Sequence, residues 1–196
     1  MKKAIIPILI ILVVGIFIYT KAVGTYNQFV QTEETINGQW AEVETQYQRR
    51  ADLIPNLVNT VKGYADFEQE TLTEVINARA KATSVNLNAE NLTPENIAAF
   101  QQAQEELSGS LSRLLVTVEK YPELKANQGF LDLQAQLEGT ENRIAVARRN
   151  FNQSVQAYNS NLRTFPNSVF AGWYGFDIKG YFEATPGSEA APSVQF

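Results

Sequence analysis

Six large apolar residues recur at intervals of seven towards the end of the chain: Phe130, Leu137, Ile144, Phe151, Tyr158 and Phe165. Seven residues are close to two turns of an α-helix, so these side chains return to one face and form a packing seam. A helix with such a seam is not satisfied alone in water, and it predicts partner helices of comparable length.

Three further segments supply them. Tyr26, Phe29, Ile36, Trp40, Val43 and Tyr47 follow helical spacing with one interruption at Glu33, which predicts a helix ending near Ala51. Asp52 is a good N-cap for a second helix, with Pro55 tolerated in its first turn. That helix should run over 52–82 and bury Ile54, Leu57, Val58, Val61, Tyr64, Leu72, Val75 and Ile76, with Gly63 as its weak point. The turn at Ala51 and Asp52 would be very tight, and a kinked continuous helix is the alternative to a break there. Residues 83–91 are polar and read as a loop. Thr93 as N-cap and Pro94 as first helical residue open a third helix, whose seam is Ile97, Phe100, Gln104, Leu107, Leu111, Leu114, Val118 and Tyr121. Pro122 stops it. Asn127 or Gln128 starts the fourth helix, which carries the heptad seam and ends at Phe165 and Pro166. Short connections predict antiparallel neighbours. Gln104, Thr140 and Ser154 on seam positions set helix register or line a small polar pocket.

The start of the chain is of another kind. Met1, Lys2 and Lys3 precede residues 4–20, seventeen positions without a charge, closed by Lys21. That run is about 25 Å of helix, enough to span with Ala22, Val23 and Gly24 added and Lys21 reaching back to the headgroups. Its apolar wall is Ile5, Ile6, Ile8, Leu9, Ile10, Ile11, Leu12, Val13, Val14, Ile16, Phe17 and Ile18. A cleaved signal segment shares the basic start and a small-x-small site at 22–24, but its apolar stretch is usually shorter. The reading adopted is a retained single-pass anchor in the cytoplasmic (inner) membrane of a bacterium. Lys2, Lys3 and the amino terminus outweigh Lys21, which predicts a cytoplasmic start and a bundle on the extracytoplasmic side.

Composition narrows the chemistry. The chain has no Cys and no His, so thiolate metal sites, Cys nucleophiles and His-dependent catalytic triads cannot be assembled from it. Residues 22–196 hold 13 basic against 21 acidic side chains, a balance that disfavours nucleic acid as a partner. The acidic pairs Glu33–Glu34, Glu68–Glu70 and Glu105–Glu106 read as solvated helix faces. A di-iron bundle site would need Glu-x-x-His motifs that this chain lacks. No cofactor or metal is expected.

Phe165, Phe170, Trp173, Tyr174, Phe176, Tyr181 and Phe182 place seven of the 21 aromatic residues within eighteen positions. Pro166, Gly172, Gly175 and Gly180 are expected to forbid a regular helix there. One reading is a clasp over one end of the bundle. The other follows from topology: the fourth helix returns to the bilayer and delivers Trp173, Tyr174 and Phe176 to its interface. Residues 183–196 are expected to be a disordered tail.

Several strings resemble the LemA family of bacterial membrane-anchored helical proteins. They are Trp40 and the run from Tyr47 through Gln48, Arg49, Arg50, Ala51, Asp52, Leu53, Ile54, Pro55, Asn56, Leu57 and Val58, then Val61, Lys62, Gly63 and Tyr64. Later come Tyr121 to Ala126, Glu141 to Ala145, Arg148, Arg149, Asn150, Phe151 and Asn152, Tyr158 and Asn159, and Phe165 with Pro166. Phe151 departs from the tyrosine expected beside Asn152, which removes a hydroxyl but keeps the packing. The resemblance covers residues 1–182 and implies a four-helix bundle behind one membrane helix. It supplies no activity.

Together these observations predict an all-α chain. A transmembrane anchor (1–24) is followed by an antiparallel up-and-down four-helix bundle (25–165). An aromatic, irregular C-terminal segment (166–182) and a tail (183–196) complete it. Arg49, Arg50, Pro55, Asn56, Tyr121, Pro122, Arg148, Asn152 and Asn159 are the candidate interaction residues. Arginine forks suit an acidic partner or anion, while salt bridges with Glu42, Glu44, Asp52 or Glu141 are the plainer use. The expected function is a non-enzymatic, membrane-tethered scaffold or adaptor for an envelope or membrane protein. The alternative is a small-ligand or lipid sensor with a pocket in the bundle or under the aromatic segment.

Overall fold

The structure is a computed structural model that describes residues 2–63 and 68–184, with side chains from Pro7 onward. Tyr64, the side chains of Ile5 and Ile6, and the tail beyond Ala184 therefore lie outside the described residues. Among the described residues the regular elements are all helical.

Helix α1 spans Lys2–Lys62, 61 residues without interruption. It carries the apolar run, whose side chains from Ile8 to Ile18 are exposed, and then the buried stripe Phe29, Ile36, Trp40, Val43 and Tyr47. The expected break at Ala51 and Asp52 is absent, and the continuous helix stands instead. Pro55 sits inside the helix, where its missing N–H orphans the carbonyl of Ala51 four residues back. That carbonyl is in a buried residue. Arg79 donates to it from Nε at 2.8 Å and so replaces the lost helical bond. Asp52 caps nothing. Its carboxylate accepts from Gln48 Nε2 at 2.8 Å within the same helix.

Helix α2, Gln69–Ser84, pairs with α3, Pro94–Val118. A 3-10 turn at Ala89–Asn91 precedes the third helix. Thr93 caps α3 as expected, its hydroxyl accepting from the Asn96 N–H at 3.3 Å. Past Val118 the chain turns, and Pro122 opens a single helical turn, α4, Pro122–Lys125. Asn127 caps α5, Gln128–Arg163, by accepting from the Phe130 N–H at 3.0 Å. The seam from Phe130 to Tyr158 is buried, whereas Phe165 is 81% exposed. It falls past the extended C-cap Thr164, so helical periodicity no longer governs it. The aromatic segment is not wholly irregular either. Asn167–Tyr174 forms α6, and Gly175 ends it at φ +75°, a left-handed conformation that favours glycine. Gly172 lies inside that short helix and costs it only propensity.

Helix α1 packs on α5, with Arg50 beside Glu141 and Trp40 beside Phe151. Between α2 and α3, Glu68 meets Lys120, Glu74 meets Arg113, and Lys81 meets Glu106. In both pairs the partner numbers fall along one helix as they rise along the other. Ile76, expected inside, is 50% exposed, while Leu72 and Val75 carry the buried face of α2.

The core consists of two apolar blocks. The one nearer the apolar run joins Phe29, Ile36, Trp40, Tyr47, Phe100, Ile144, Phe151, Tyr158, Phe170 and Phe182, and Ala22 packs against its edge. The far block joins Ile54, Leu57, Val61, Leu72, Val75, Leu107, Leu111, Leu114, Leu124, Phe130 and Leu137.

Candidate functional site

Between the two blocks lies a polar layer built on Arg50, whose side chain is 2% exposed. Its Nη1 donates to Glu141 at 2.6 Å and to Ser108 Oγ at 2.8 Å. Its Nη2 donates to Gln104 Oε1 at 2.5 Å and to the Gln104 carbonyl at 3.3 Å. The guanidinium also lies 5.0 Å from the Tyr47 ring centroid, and its Nε has no hydrogen-bond partner. A buried cation with these ligands ties α1, α3 and α5 at one level, so a helix slipped by one turn would leave charge unpaired. Gln104 and Thr140 are both buried, as a register-setting role requires, whereas Ser154 is only half-buried at the surface of α5. Thr140 bonds locally, to the Gln136 carbonyl at 2.7 Å.

The second constellation holds an extended strap that follows Gly175. The Asn159 amide accepts from the Lys179 N–H at 3.0 Å and donates to its carbonyl at 2.9 Å. Asn152 does the same for Phe182, at 2.9 and 2.8 Å, and Gln101 for Glu183, at 3.0 and 3.1 Å. Each amide presents one donor and one acceptor and so behaves as the edge of a neighbouring strand would. The spacing explains the fit. Seven residues of helix rise about 10.5 Å, and three residues of extended chain cover about 10 Å, so amides a heptad apart meet residues 179 and 182. Gly180 donates to the Leu92 carbonyl at 2.8 Å. A Cβ at Gly180 would lie 2.7 Å from Pro94 Cα, so only glycine lets the strap cross the start of α3. Phe182 then enters the aromatic block, stacked on Trp40 and edge-on to Phe100 and Phe151. Arg148 covers it at 4.7 Å from the ring centroid and donates to the Glu183 carbonyl at 2.9 Å.

Beneath the strap, Lys179 pairs with Glu33 at 2.6 Å. Tyr158 is fully buried, and its hydroxyl has no hydrogen-bond partner. Burial first, then the negative charges of Glu33 and Asp177, push that phenol well above the usual tyrosine range. Burial likewise raises Tyr47, opposed by the positive charges of Arg148 and Arg50.

Helix α6 docks on α1 just beyond the apolar run. The Tyr174 ring meets Tyr26 at 5.1 Å, and Phe176 meets Tyr26 at 5.7 Å and Phe29 at 5.2 Å. Phe170 is buried, and Trp173 is 75% exposed.

The candidate residues therefore divide. Arg148, Asn152 and Asn159 hold the strap. Arg50 is spent inside the bundle, on the salt bridge with Glu141. Arg49 and Asn56 are exposed and line a surface groove of about 1100 Å³ between α1 and the α2–α3 connection, with Tyr47, Gln48, Leu87 and Gln104. Pro55 is exposed on α1, and Tyr121 and Pro122 form the start of the α4 turn rather than part of either constellation. Gln101 and Ser108 went unforeseen. Asn152 and Asn159 had a signal, since each directly follows a seam residue, Phe151 and Tyr158.

Residues 39–196, most of the chain, match the LemA family. The chain belongs to the LemA family. Protein LemA of Metamycoplasma hominis is 26% identical over 155 residues, covering 79% of this chain and 67% of that protein. Magnetosome protein MamQ 2 of Paramagnetospirillum magneticum is 24% identical over 181 residues, and magnetosome protein MamQ of Magnetospirillum gryphiswaldense 25% over the same length. Each of these two alignments covers 84% of this chain and 66% of the relative. The chain thus spans about two thirds of the length of the relatives it matches. The one long apolar helix among the described residues fits a single-pass membrane protein of this family.

Proposed function

We propose that this LemA-family chain is a non-enzymatic, membrane-tethered scaffold whose antiparallel up-and-down four-helix bundle presents a rigid face to a membrane or envelope protein. The observation that carries this reading is the continuity of α1, in which the apolar span and the first core helix are one rod. A cut near residue 24, as signal cleavage would make, falls inside that helix, which favours a retained anchor. Tethering raises the local concentration of bundle and partner without new contacts. Neither the family description nor the names of the relatives denote a reaction. The Arg49–Asn56 groove is the docking face this reading favours. The charge balance around the span keeps the bundle on the extracytoplasmic side, and external protease should digest residues 25–196 in intact spheroplasts.

A photo-crosslinking residue at Asn56, in cells expressing the full chain, tests the scaffold directly. A reproducible protein adduct at Asn56, absent when the probe sits at Gln39 on the α5 side of α1, is expected. No protein adduct at either position would overturn the reading. The sensor alternative gains less support, because aromatic side chains fill the space beneath the strap and the two largest depressions are surface grooves.

A further inference from the structure

The segment 164–176 contains no charged residue, and α6 within it keeps only one face in the protein. Phe170 and Ala171 are buried. Val169 and Trp173, one turn apart on α6, are 44% and 75% exposed, and Phe165, two residues ahead of the helix, is 81% exposed. Two exposed aromatic rings and a valine on this charge-free segment form an apolar ridge that water does not favour.

The location of this ridge identifies what covers it. A hydrocarbon core about 30 Å thick needs about 20 helical residues. A span that starts at Ala4 therefore reaches Val23, with Lys21 reaching back to the headgroups. Tyr26, which holds Tyr174 at 5.1 Å, lies about 5 Å further along the helix. The headgroup layer is about 5–8 Å deep on each side, so the contact that fixes α6 falls within it. The ridge thus sits at the level of α1 that borders its apolar run. Indole and phenyl rings on an uncharged helix are the groups that favour this layer.

We propose that α6 is a second membrane contact, an interfacial helix whose Val169 and Trp173, with Phe165 just ahead of them, seat in the headgroup region of the same bilayer that α1 crosses. Phe176 is not part of this contact, because it packs against Phe29. Tyr174 belongs to its protein-facing edge. Two attachments restrict the tilt and rotation of α1, so the bundle is held in one orientation above the lipid. This inference rests on the membrane-anchored half of the scaffold reading and not on its protein partner.

The chain supplies its own probe, since Trp40 is 1% exposed and Trp173 is the second tryptophan. Trp40 stands about 28 Å past Lys21 along the helix, beyond the reach of lipid-borne quenchers. The full chain is reconstituted in phosphatidylcholine–phosphatidylglycerol vesicles carrying acyl chains brominated near the headgroup. Quenching should remove the Trp173 share of the emission and leave that of Trp40, and Trp173→Phe should abolish the quenching. Replacing the other two exposed side chains of the ridge, Phe165→Ser with Val169→Ser, should restore the Trp173 emission while circular dichroism stays unchanged. Trp173 emission that ignores bromolipid but remains open to aqueous iodide would overturn the proposal. So would shielding of Trp173 that depends on protein density rather than on lipid, which would mean a second copy covers the ridge. Loss of the Asn56 adducts alone would leave this inference standing.

Discussion

The two core blocks are built by different rules. Among the described residues the buried core of the far block is aliphatic apart from Phe130, with Tyr121 packed at its edge, and it is edged by the ion pairs Glu74–Arg113, Lys81–Glu106 and Lys120–Glu68. The block nearer the membrane gathers Phe29, Trp40, Tyr47, Phe100, Phe151, Tyr158, Phe170 and Phe182 and needs a non-helical piece, the strap, to close it. Leu and Val at heptad spacing fill a helix–helix seam by themselves. Rings leave a wider gap, into which an extended peptide can lay its own ring provided amides satisfy its backbone. The comparison teaches that polar side chains on helices α3 and α5 do in one half what ladder bonds do in a sheet.

The largest blow to that contrast should come from Phe182→Ala. Removing a buried phenyl costs about 3–4 kcal/mol, and hydrogen exchange should show the strap amides of 179–183 losing protection while α2 and α3 keep theirs. Arg50→Ala attacks the layer between the blocks. It should cost about 3 kcal/mol, at the low end for a buried pair because Glu141 can turn to water, and denaturant unfolding should broaden or split as the blocks uncouple. Arg79→Ala leaves the buried Ala51 carbonyl without a donor, for about 1–3 kcal/mol, with the loss of exchange protection centred on residues 51–58. Arg113→Ala, at an exposed ion pair of the far block, should change stability by less than about 1 kcal/mol.

The smallest effect at neutral pH is also the most diagnostic of the near block. Tyr158→Phe removes a buried hydroxyl without a partner and should leave stability within about 1 kcal/mol of the parent. The alkaline limb separates them. Because the folded phenol is raised, the unfolded chain loses this proton first, from about pH 10 upward, and the parent loses stability as pH rises through that window. The phenylalanine variant should show a shallower decline there in guanidinium titrations.

Much of this was legible in the order of residues. Spacing alone marks the seams of α3 and α5, the caps Thr93 and Asn127 and the apolar span, because these depend on neighbours within a turn or two. The course of α1 was not legible. Asp52 followed by Pro55 reads as a helix start, and what makes it a helix interior is Arg79, which comes 28 residues later and reaches the orphaned carbonyl only in the folded state. The strap was half legible. Its rings were visible as a cluster, and Asn152 and Asn159 stood among the candidate interaction residues without a role. Their mutual fit depends on an extended conformation that no periodicity announces, and Gln101 joins from another helix. Phe165 misleads for a related reason, since the heptad count passes one step beyond the end of the helix.

The claim on which the rest depends is that one unbroken helix carries the span into both blocks. The absence of native cysteine makes a spin-label pair at Gln28→Cys and Asn59→Cys clean to measure by electron–electron double resonance in the vesicle-bound full chain. A straight α1 places those backbones about 46 Å apart, and a narrow distribution near that distance is predicted. A reversal at Ala51–Asp52 would fold the second arm back and bring the labels within about 30 Å, and that result would contradict the account.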